Sequence, residues 1–193
     1  MESSIRVGVA NEERLGDLVS LEDASTVEES VGRASTTRFS AYLELTKPRI
    51  TFLVVLTAAA GYAVGARGGL NLVRLLWTSL GIGLLSSGIS ALNQYMERDL
   101  DGLMNRTKLR PLPTRKIVSF RAFLFGAGLS AAGLGVLGVA ISWLTALLGF
   151  ATLCGYLFAY TPLKTRTSLS TVVGAFPGAM PPLIGWVAAP LRP

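Results

Sequence analysis

Residues 122–163 read AFLFGAGLSAAGLGVLGVAISWLTALLGFATLCGYLFAYTPL, a stretch without a single charged side chain. A helix needs about 20 apolar residues to cross the hydrocarbon core of a bilayer, so this stretch is long enough for two crossings. Backbone groups in hydrocarbon must be hydrogen-bonded within the chain, which favours helices. We therefore expect two transmembrane helices, divided by a tight turn near Ser142 and Trp143.

Apolar runs of similar character lie on both sides of this stretch. The sequence predicts an all-α membrane protein in which residues 41–193 form a multi-pass transmembrane helical bundle, the N-terminal part of a larger domain. Gly174 and Gly178 form a small-residue pair of the kind that allows close helix packing. The prolines at 177, 181 and 182 are expected to break the last run. The five predicted helices cover residues 48–66, 73–97, 119–141, 143–160 and 168–189.

The charges are distributed very unevenly along the chain. Basic residues cluster between the apolar runs, at 47–49, 98–121 and 164–166, which is the positive-inside pattern of membrane loops. This placement predicts a cell inner membrane protein whose N-terminus lies in the cytoplasm, and it argues against nucleic-acid binding. Residues 1–40 are polar and acidic, and they are expected to form a disordered cytoplasmic tail.

Three polar residues at the end of the second run are the first candidates for chemistry. Asn93, Glu97 and Asp101 are spaced four apart, so they share one face of a helix. Asp99 points to the other side if the helix stays regular. Carboxylates at a helix C-terminus near the membrane boundary are unfavourable unless something neutralises them.

Two kinds of neutralising partner fit these carboxylates. A structural interpretation pairs them with Arg98 or Arg106 in a solvated cap. A functional interpretation has them hold Mg²⁺ shared with a diphosphate, because Mg²⁺ prefers oxygen ligands and few of them. We favour the metal, since Glu97, Asp99 and Asp101 are expected to be the only acids in the membrane-associated chain.

A basic loop follows the carboxylates and ends in Arg110-Pro111-Leu112-Pro113. Cations in this position could bind phosphate oxygens. They could equally serve only to set the topology, and charge alone does not separate the two interpretations.

Three separated segments resemble the heme O synthases of the UbiA prenyltransferase superfamily. They are residues 45–50, residues 93–113 and residues 160–186, and the resemblance covers roughly residues 40–190. The pattern of Asn93, Glu97 and Asp101 resembles the first aspartate-rich motif of that superfamily.

The resemblance implies transfer of a farnesyl group from farnesyl diphosphate to a vinyl group of heme b within a lipid bilayer, with Mg²⁺ as cofactor. It suggests heme A synthase or oxidase-assembly proteins as partners. It implies catalytic and metal-binding roles for Asn93, Glu97 and Asp101, with Asp99 as a further metal candidate. It also points to diphosphate-binding candidates, namely Arg98, Arg106, Lys108, Arg110, Lys164 and Arg166, and to Lys47, Arg49 and Tyr160 as additional site candidates.

Two departures from the family pattern stand out. Position 97 is Glu, where the superfamily more often has Asp. The family has about nine membrane helices and a second aspartate-rich motif, whereas this sequence has five apolar runs and no acid after Asp101. We therefore expect a truncated sequence that is inactive alone.

Two other functions stay open at this point. One is a UbiA-type prenyltransferase with an aromatic acceptor, of quinone or chlorophyll type. The other is a transporter fragment, because the Gly- and Pro-containing fifth run suits the broken helices of that class.

Overall fold

The computed structural model describes residues 38–66, 69–164, 167 and 169–190, and within these residues it contains helices and turns but no strand. The chain divides into two units, Met1–Ser40 and Ala41–Pro193. The first unit is described only at residues 38–40, which are helical; most of the predicted disordered tail lies outside the described residues.

Five helices are long and apolar enough to cross a membrane, which confirms the predicted fold class. Helix α1 is Pro48–Gly65 and helix α2 is Leu72–Leu103. Helix α3 is Ser119–Val136, α4 is Trp143–Cys154 and α5 is Ser170–Ala188. Two π-helical turns, Leu137–Ile141 and Gly155–Tyr160, extend α3 and α4. A single further turn, Thr161–Leu163, follows the second of them.

The turn between α3 and α4 falls where the sequence predicts it. Ser142 adopts an extended conformation with φ −167° and ψ 155°. Its hydroxyl accepts a hydrogen bond from the backbone N–H of Thr145 at 3.3 Å. This is the N-cap arrangement that satisfies an otherwise free donor at a helix start, so one residue is enough to separate the two helices.

Helix α2 is longer than the sequence predicts. It continues through Gly102 to Leu103 instead of ending at residue 97. The extra turn is held from outside the helix, because Asp101 is bound by Arg110 and its carbonyl accepts from Thr107. A glycine lowers helix propensity by only about 1 kcal/mol, which these contacts offset.

The fifth helix is continuous, contrary to the expected break. Pro177, Pro181 and Pro182 all lie inside α5. Close packing against α1 accompanies the prolines: a Cβ atom at Gly185 would lie 1.9 Å from the carbonyl oxygen of Ala58. The two backbones therefore touch, which only glycine permits at this position.

Two apolar clusters hold the bundle and its loop. The larger contains Ala58, Leu85, Leu137 and Ile184 and is contacted by residues of α3 and α4, so it joins all five helices. The smaller is built from Ala41, Leu45, Ala91, Leu112, Ile117 and Ala122. It anchors the loop between α2 and α3, which is why that basic segment has a defined shape.

Candidate functional site

A polar cavity of about 910 Å³ lies at the C-terminal end of α2. We call it the polar cavity. Its wall is formed by the buried face of α2, the turns that follow α2, the segment before α1 and the end of the fourth span. The fourth span is Trp143–Leu163, which consists of α4 and the helical turns after it. Its charged and amide-bearing lining residues are Glu44, Lys47, Asn93, Gln94, Glu97, Asp101, Arg106, Arg110 and Lys164.

The two carboxylates of α2 enter this cavity from one face of the helix, as their four-residue spacing predicts. Glu97 is 6% exposed and Asp101 is 4% exposed. Each is paired with a cation from another segment: Glu97 with Lys164 and Asp101 with Arg110. Buried charges need such partners, since an isolated buried carboxylate is strongly destabilising.

Asn93 is oriented by two hydrogen bonds. Its Nδ2 donates to Glu97 Oε2 at 3.0 Å, and its Oδ1 accepts from Thr161 Oγ1 at 2.8 Å. Asn93 is 2% exposed and Thr161 is 6% exposed. The amide therefore links the first carboxylate of α2 to the turn after α4.

Asp101 is fixed by the loop that follows α2. Arg110 Nη1 donates to Oδ1 at 2.8 Å and to Oδ2 at 2.7 Å. The Asp101 carbonyl accepts from Thr107 Oγ1 at 3.0 Å. Arg110 is in turn held near Pro111 and Leu112, both buried, so the cation is built into the cavity wall.

Lys47 reaches the cavity from a strained position. Its backbone has φ 47° and ψ 63°, in the left-handed region, which is uncommon for a residue other than glycine. Such strain persists only when surrounding contacts impose it, and it tends to occur at functional sites. The left-handed turn at Lys47 directs the chain into α1 beside the polar cavity.

Several predicted site residues lie away from the polar cavity. Asp99 has an 86% exposed side chain and pairs with Arg98 at 3.6 Å, while Arg98 lies over the Tyr95 ring at 4.6 Å. Lys108 binds the exposed Asn105 side chain, and Arg49 is exposed on α1. None of these four predicted residues lines the cavity. Arg166 lies outside the described residues.

A second cavity, about 670 Å³ and mostly apolar, lies between α1, α2, α4 and α5. We call it the apolar cavity. It shares three lining residues, Ile50, Tyr156 and Tyr160, with the polar cavity. The two tyrosine rings are 5.1 Å apart between centroids, at 51°. The two cavities thus meet at this tyrosine pair.

The end of the fourth span positions these tyrosines. They lie in the π-helical turn Gly155–Tyr160, and such turns often occur at functional sites. Gly174 of α5 leaves room for Tyr160, since a Cβ atom there would lie 2.8 Å from the ring. Gly178 faces open space instead, so within the predicted glycine pair it is Gly174 that allows close packing, against a tyrosine of the preceding helical segment.

Among the residues of this site that sequence reasoning missed are Glu44, Tyr156 and Thr161. Glu44 lines the polar cavity, so the expectation that Glu97, Asp99 and Asp101 are the only acids of the membrane-associated chain is wrong. Tyr156 could be inferred from the sequence, because it lies one helical turn before the predicted site residue Tyr160. Thr161 gave no signal of its own, since a threonine beside an apolar run is usually structural.

The donor set suits a magnesium ion that is shared with a ligand. Mg²⁺ is usually held by one or two carboxylates together with substrate phosphates, and not by a full protein cage. Glu97 and Asp101 offer two carboxylates on one cavity wall. Among the described residues there is no group of three His, Cys, Asp or Glu side chains arranged to hold a metal.

Comparison with known proteins identifies the family. The UbiA prenyltransferase family pattern matches residues 54–191, and the chain belongs to this family. It is 48% identical to the protoheme IX farnesyltransferase of Solibacter usitatus (strain Ellin6076) over 157 residues, covering 77% of this chain and 54% of that protein. It is 46% identical to the protoheme IX farnesyltransferase of Myxococcus xanthus (strain DK1622), covering 76% and 49%. The predicted resemblance is confirmed.

The chain spans about half the length of the curated relatives it matches. A solved structure, that of a UbiA homolog from Archaeoglobus fulgidus bound to DMAPP and Mg²⁺, superposes with a TM-score of 0.68 at 19% identity, covering 78% of this chain and 55% of that one. At that identity the likeness establishes the fold. Neither the aromatic-acceptor alternative nor the transporter alternative is favoured by these relatives.

Proposed function

We propose that this chain carries the farnesyl-diphosphate site of a protoheme IX farnesyltransferase, which transfers a farnesyl group to a vinyl group of heme b. The observation that carries the proposal is the meeting of two cavities. A polar cavity with paired carboxylates and several cations opens onto an apolar cavity at Ile50, Tyr156 and Tyr160. A prenyl diphosphate has the same two parts, a charged head and an apolar tail. The names of the relatives support heme as the acceptor.

The polar cavity would take the diphosphate. Lys47, Arg106, Arg110 and Lys164 all line it, and cations aimed at a leaving group stabilise the charge that develops as its bond breaks. Glu97 and Asp101 would hold Mg²⁺ on the diphosphate, with Asn93 as the third candidate ligand. Bound there, the metal would neutralise the oxygens of the leaving group.

Lys164 and Arg110 would change partners when the diphosphate binds. In the structure they pair with Glu97 and Asp101. With the metal on those carboxylates, the two cations become free to bind phosphate oxygens. The ion pairs therefore compensate the charges of the two carboxylates, and they place both cations next to where the diphosphate would lie.

The apolar cavity would hold the farnesyl tail, so that the reacting carbon lies near Tyr156 and Tyr160. Cleavage of the carbon–oxygen bond sends its electron pair to the diphosphate and leaves an allylic cation. Aromatic faces stabilise a nearby cation, and apolar walls keep water away from it. The vinyl group of heme b then forms the new carbon–carbon bond, and water adds to the remaining cation with loss of a proton.

The positive-inside pattern supports an inner-membrane location with the polar cavity and the N-terminus on the cytoplasmic side. Lys47, Arg110 and Lys164 all lie at this end of the bundle. A cytoplasmic opening would give the diphosphate head access from water, while the tail remains among the helices.

The test is product formation by the complete gene product in membranes that lack any other such enzyme. Supplied with farnesyl diphosphate, heme b and Mg²⁺, these membranes should form heme O, detected by mass spectrometry. Glu97→Gln should reduce the rate by about a hundredfold, the scale seen when one electrostatic stabiliser is removed. Prenylation of an aromatic acid such as 4-hydroxybenzoate in place of heme b would overturn the acceptor assignment. Absence of prenyl transfer to either acceptor would overturn the assignment as a prenyltransferase.

A further inference from the structure

We propose that Thr161 is a positioning residue for the metal-binding carboxylate Glu97, acting through the amide of Asn93. This inference rests on the proposed function. It concerns a residue whose own side chain carries no charge and does not line the polar cavity. A closed set of contacts between two helical turns links Thr161 to Glu97.

Four side chains form that set. On α2, Asn93 and Glu97 are one turn apart and joined at 3.0 Å. On the segment after α4, Thr161 and Lys164 are also one turn apart. Thr161 binds Asn93 at 2.8 Å, and Lys164 pairs with Glu97. Each turn therefore holds the other at two points.

The direction of the hydrogen bonds is fixed by chemistry. A carboxylate accepts and cannot donate, so the Asn93 group facing Glu97 Oε2 must be the Nδ2 amide nitrogen. The Asn93 Oδ1 oxygen must then face Thr161, and in this contact the Thr161 hydroxyl is the donor, since an amide oxygen can only accept. Thr161 Oγ1 also lies 2.9 Å from the Tyr156 carbonyl, which competes for that proton without reversing the amide.

Removing the hydroxyl would therefore release the amide. With Asn93 Oδ1 left without a donor in a buried position, the side chain can rotate, and Glu97 Oε2 loses the N–H that fixes its plane. Groups that orient a metal ligand without touching the metal commonly change metal affinity by 10- to 100-fold when removed. Thr161 should accordingly set the affinity for Mg²⁺ and leave the fold intact.

The experiment compares the full chain with its Thr161→Val and Thr161→Ser variants in lipid nanodiscs. The readouts are the Mg²⁺ concentration that gives half-maximal binding of farnesyl diphosphate and the thermal unfolding midpoint. Thr161→Val should raise the Mg²⁺ requirement by about tenfold or more, and Thr161→Ser should stay near wild type. Thr78→Val is the matched control, since Thr78 is 1% exposed and its hydroxyl donates to the Arg74 carbonyl within α2.

A double-variant cycle tests the route through Asn93. If Thr161 acts through this amide, Thr161→Val should add nothing to the effect of Asn93→Ala on the Mg²⁺ requirement. If Thr161→Val raises the Mg²⁺ requirement by the same factor in the wild type and in Asn93→Ala, the inference is overturned. So would a Thr161→Val variant that has a lower unfolding midpoint but an unchanged Mg²⁺ requirement.

If Thr161→Val does not fold, Thr161→Ala and Thr161→Ser carry the same comparison, and an unchanged Mg²⁺ requirement in Thr161→Ala overturns the inference. Failure of the wild-type chain to bind farnesyl diphosphate at any Mg²⁺ concentration would instead count against the proposed function. The two failures are therefore distinguishable.

Discussion

Lys164 forms an ion pair with Glu97 in the wall of the polar cavity, and this pair ties the turn after α4 to the buried face of α2. The Glu97 side chain is 8% exposed and that of Lys164 is 29% exposed. The carboxylate therefore depends on this cation more than the cation depends on the carboxylate, since Lys164 can reach solvent.

Lys164→Met should lower the thermal unfolding midpoint, because it leaves Glu97 buried and without its cation. Removing one partner of a fully buried pair costs about 3–5 kcal/mol, and the partial exposure of Lys164 makes the expected cost smaller. The double variant Glu97→Gln/Lys164→Met should recover most of this stability. Equal midpoints for the single and the double variant would contradict the account.

Arg110→Lys should weaken farnesyl diphosphate binding by about tenfold, because a guanidinium holds oxygen atoms in a geometry that an ammonium cannot reproduce. Arg110 contacts both oxygens of Asp101. Arg121→Lys makes the same change at an exposed position on α3 and should leave the affinity unchanged. The measurement is equilibrium binding at saturating Mg²⁺, and equal effects of both substitutions would refute the role of Arg110.

Gly174→Ala should impair prenyl-chain binding, whereas Gly128→Ala, on α3 and outside the lining of both cavities, should not. A Cβ atom at Gly174 would lie 2.8 Å from the Tyr160 ring and displace it, while one at Gly128 meets nothing within 4 Å. The two variants share the same change in helix propensity, so their difference isolates the tyrosine. Binding of farnesyl diphosphate relative to inorganic diphosphate measures the effect, and indistinguishable variants would contradict it.

Arg74→Met should destabilise the bundle without changing Mg²⁺-dependent binding. Arg74 Nε donates to the Ala188 carbonyl at 2.8 Å and Nη2 donates to the Ile141 carbonyl at 3.3 Å. It thus caps the C-terminal ends of two helices far along α2 from the polar cavity. Hydrogen bonds from charged donors are worth about 1.5–3 kcal/mol. An Arg74→Met variant with an unchanged unfolding midpoint but without Mg²⁺-dependent binding would contradict this expectation.

The sequence was informative about the helices and about one face of α2. Apolar runs of spanning length leave few alternatives to helices in lipid. Spacing by four residues placed Asn93, Glu97 and Asp101 on one side, where the structure has them buried. Both conclusions follow from local geometry, which a single sequence contains.

What the sequence could not supply depends on contacts between distant segments. The basic residues Arg98, Lys108 and Arg110 are alike by charge, and only the fold of the loop directs Arg110 alone among them to Asp101. The continued end of α2 depends on that same contact. The link between Thr161 and Asn93 joins positions 68 residues apart, which no spacing rule reveals.

The most direct test of the central claim is equilibrium binding of farnesyl diphosphate to the purified protein in nanodiscs, with and without Mg²⁺, for the wild type and Asp101→Asn. We expect tight binding only with Mg²⁺, and a loss of affinity of at least about tenfold in Asp101→Asn. An affinity for farnesyl diphosphate that is the same with and without Mg²⁺, or the same in Asp101→Asn and the wild type, would show that the paired carboxylates of α2 do not form the diphosphate site.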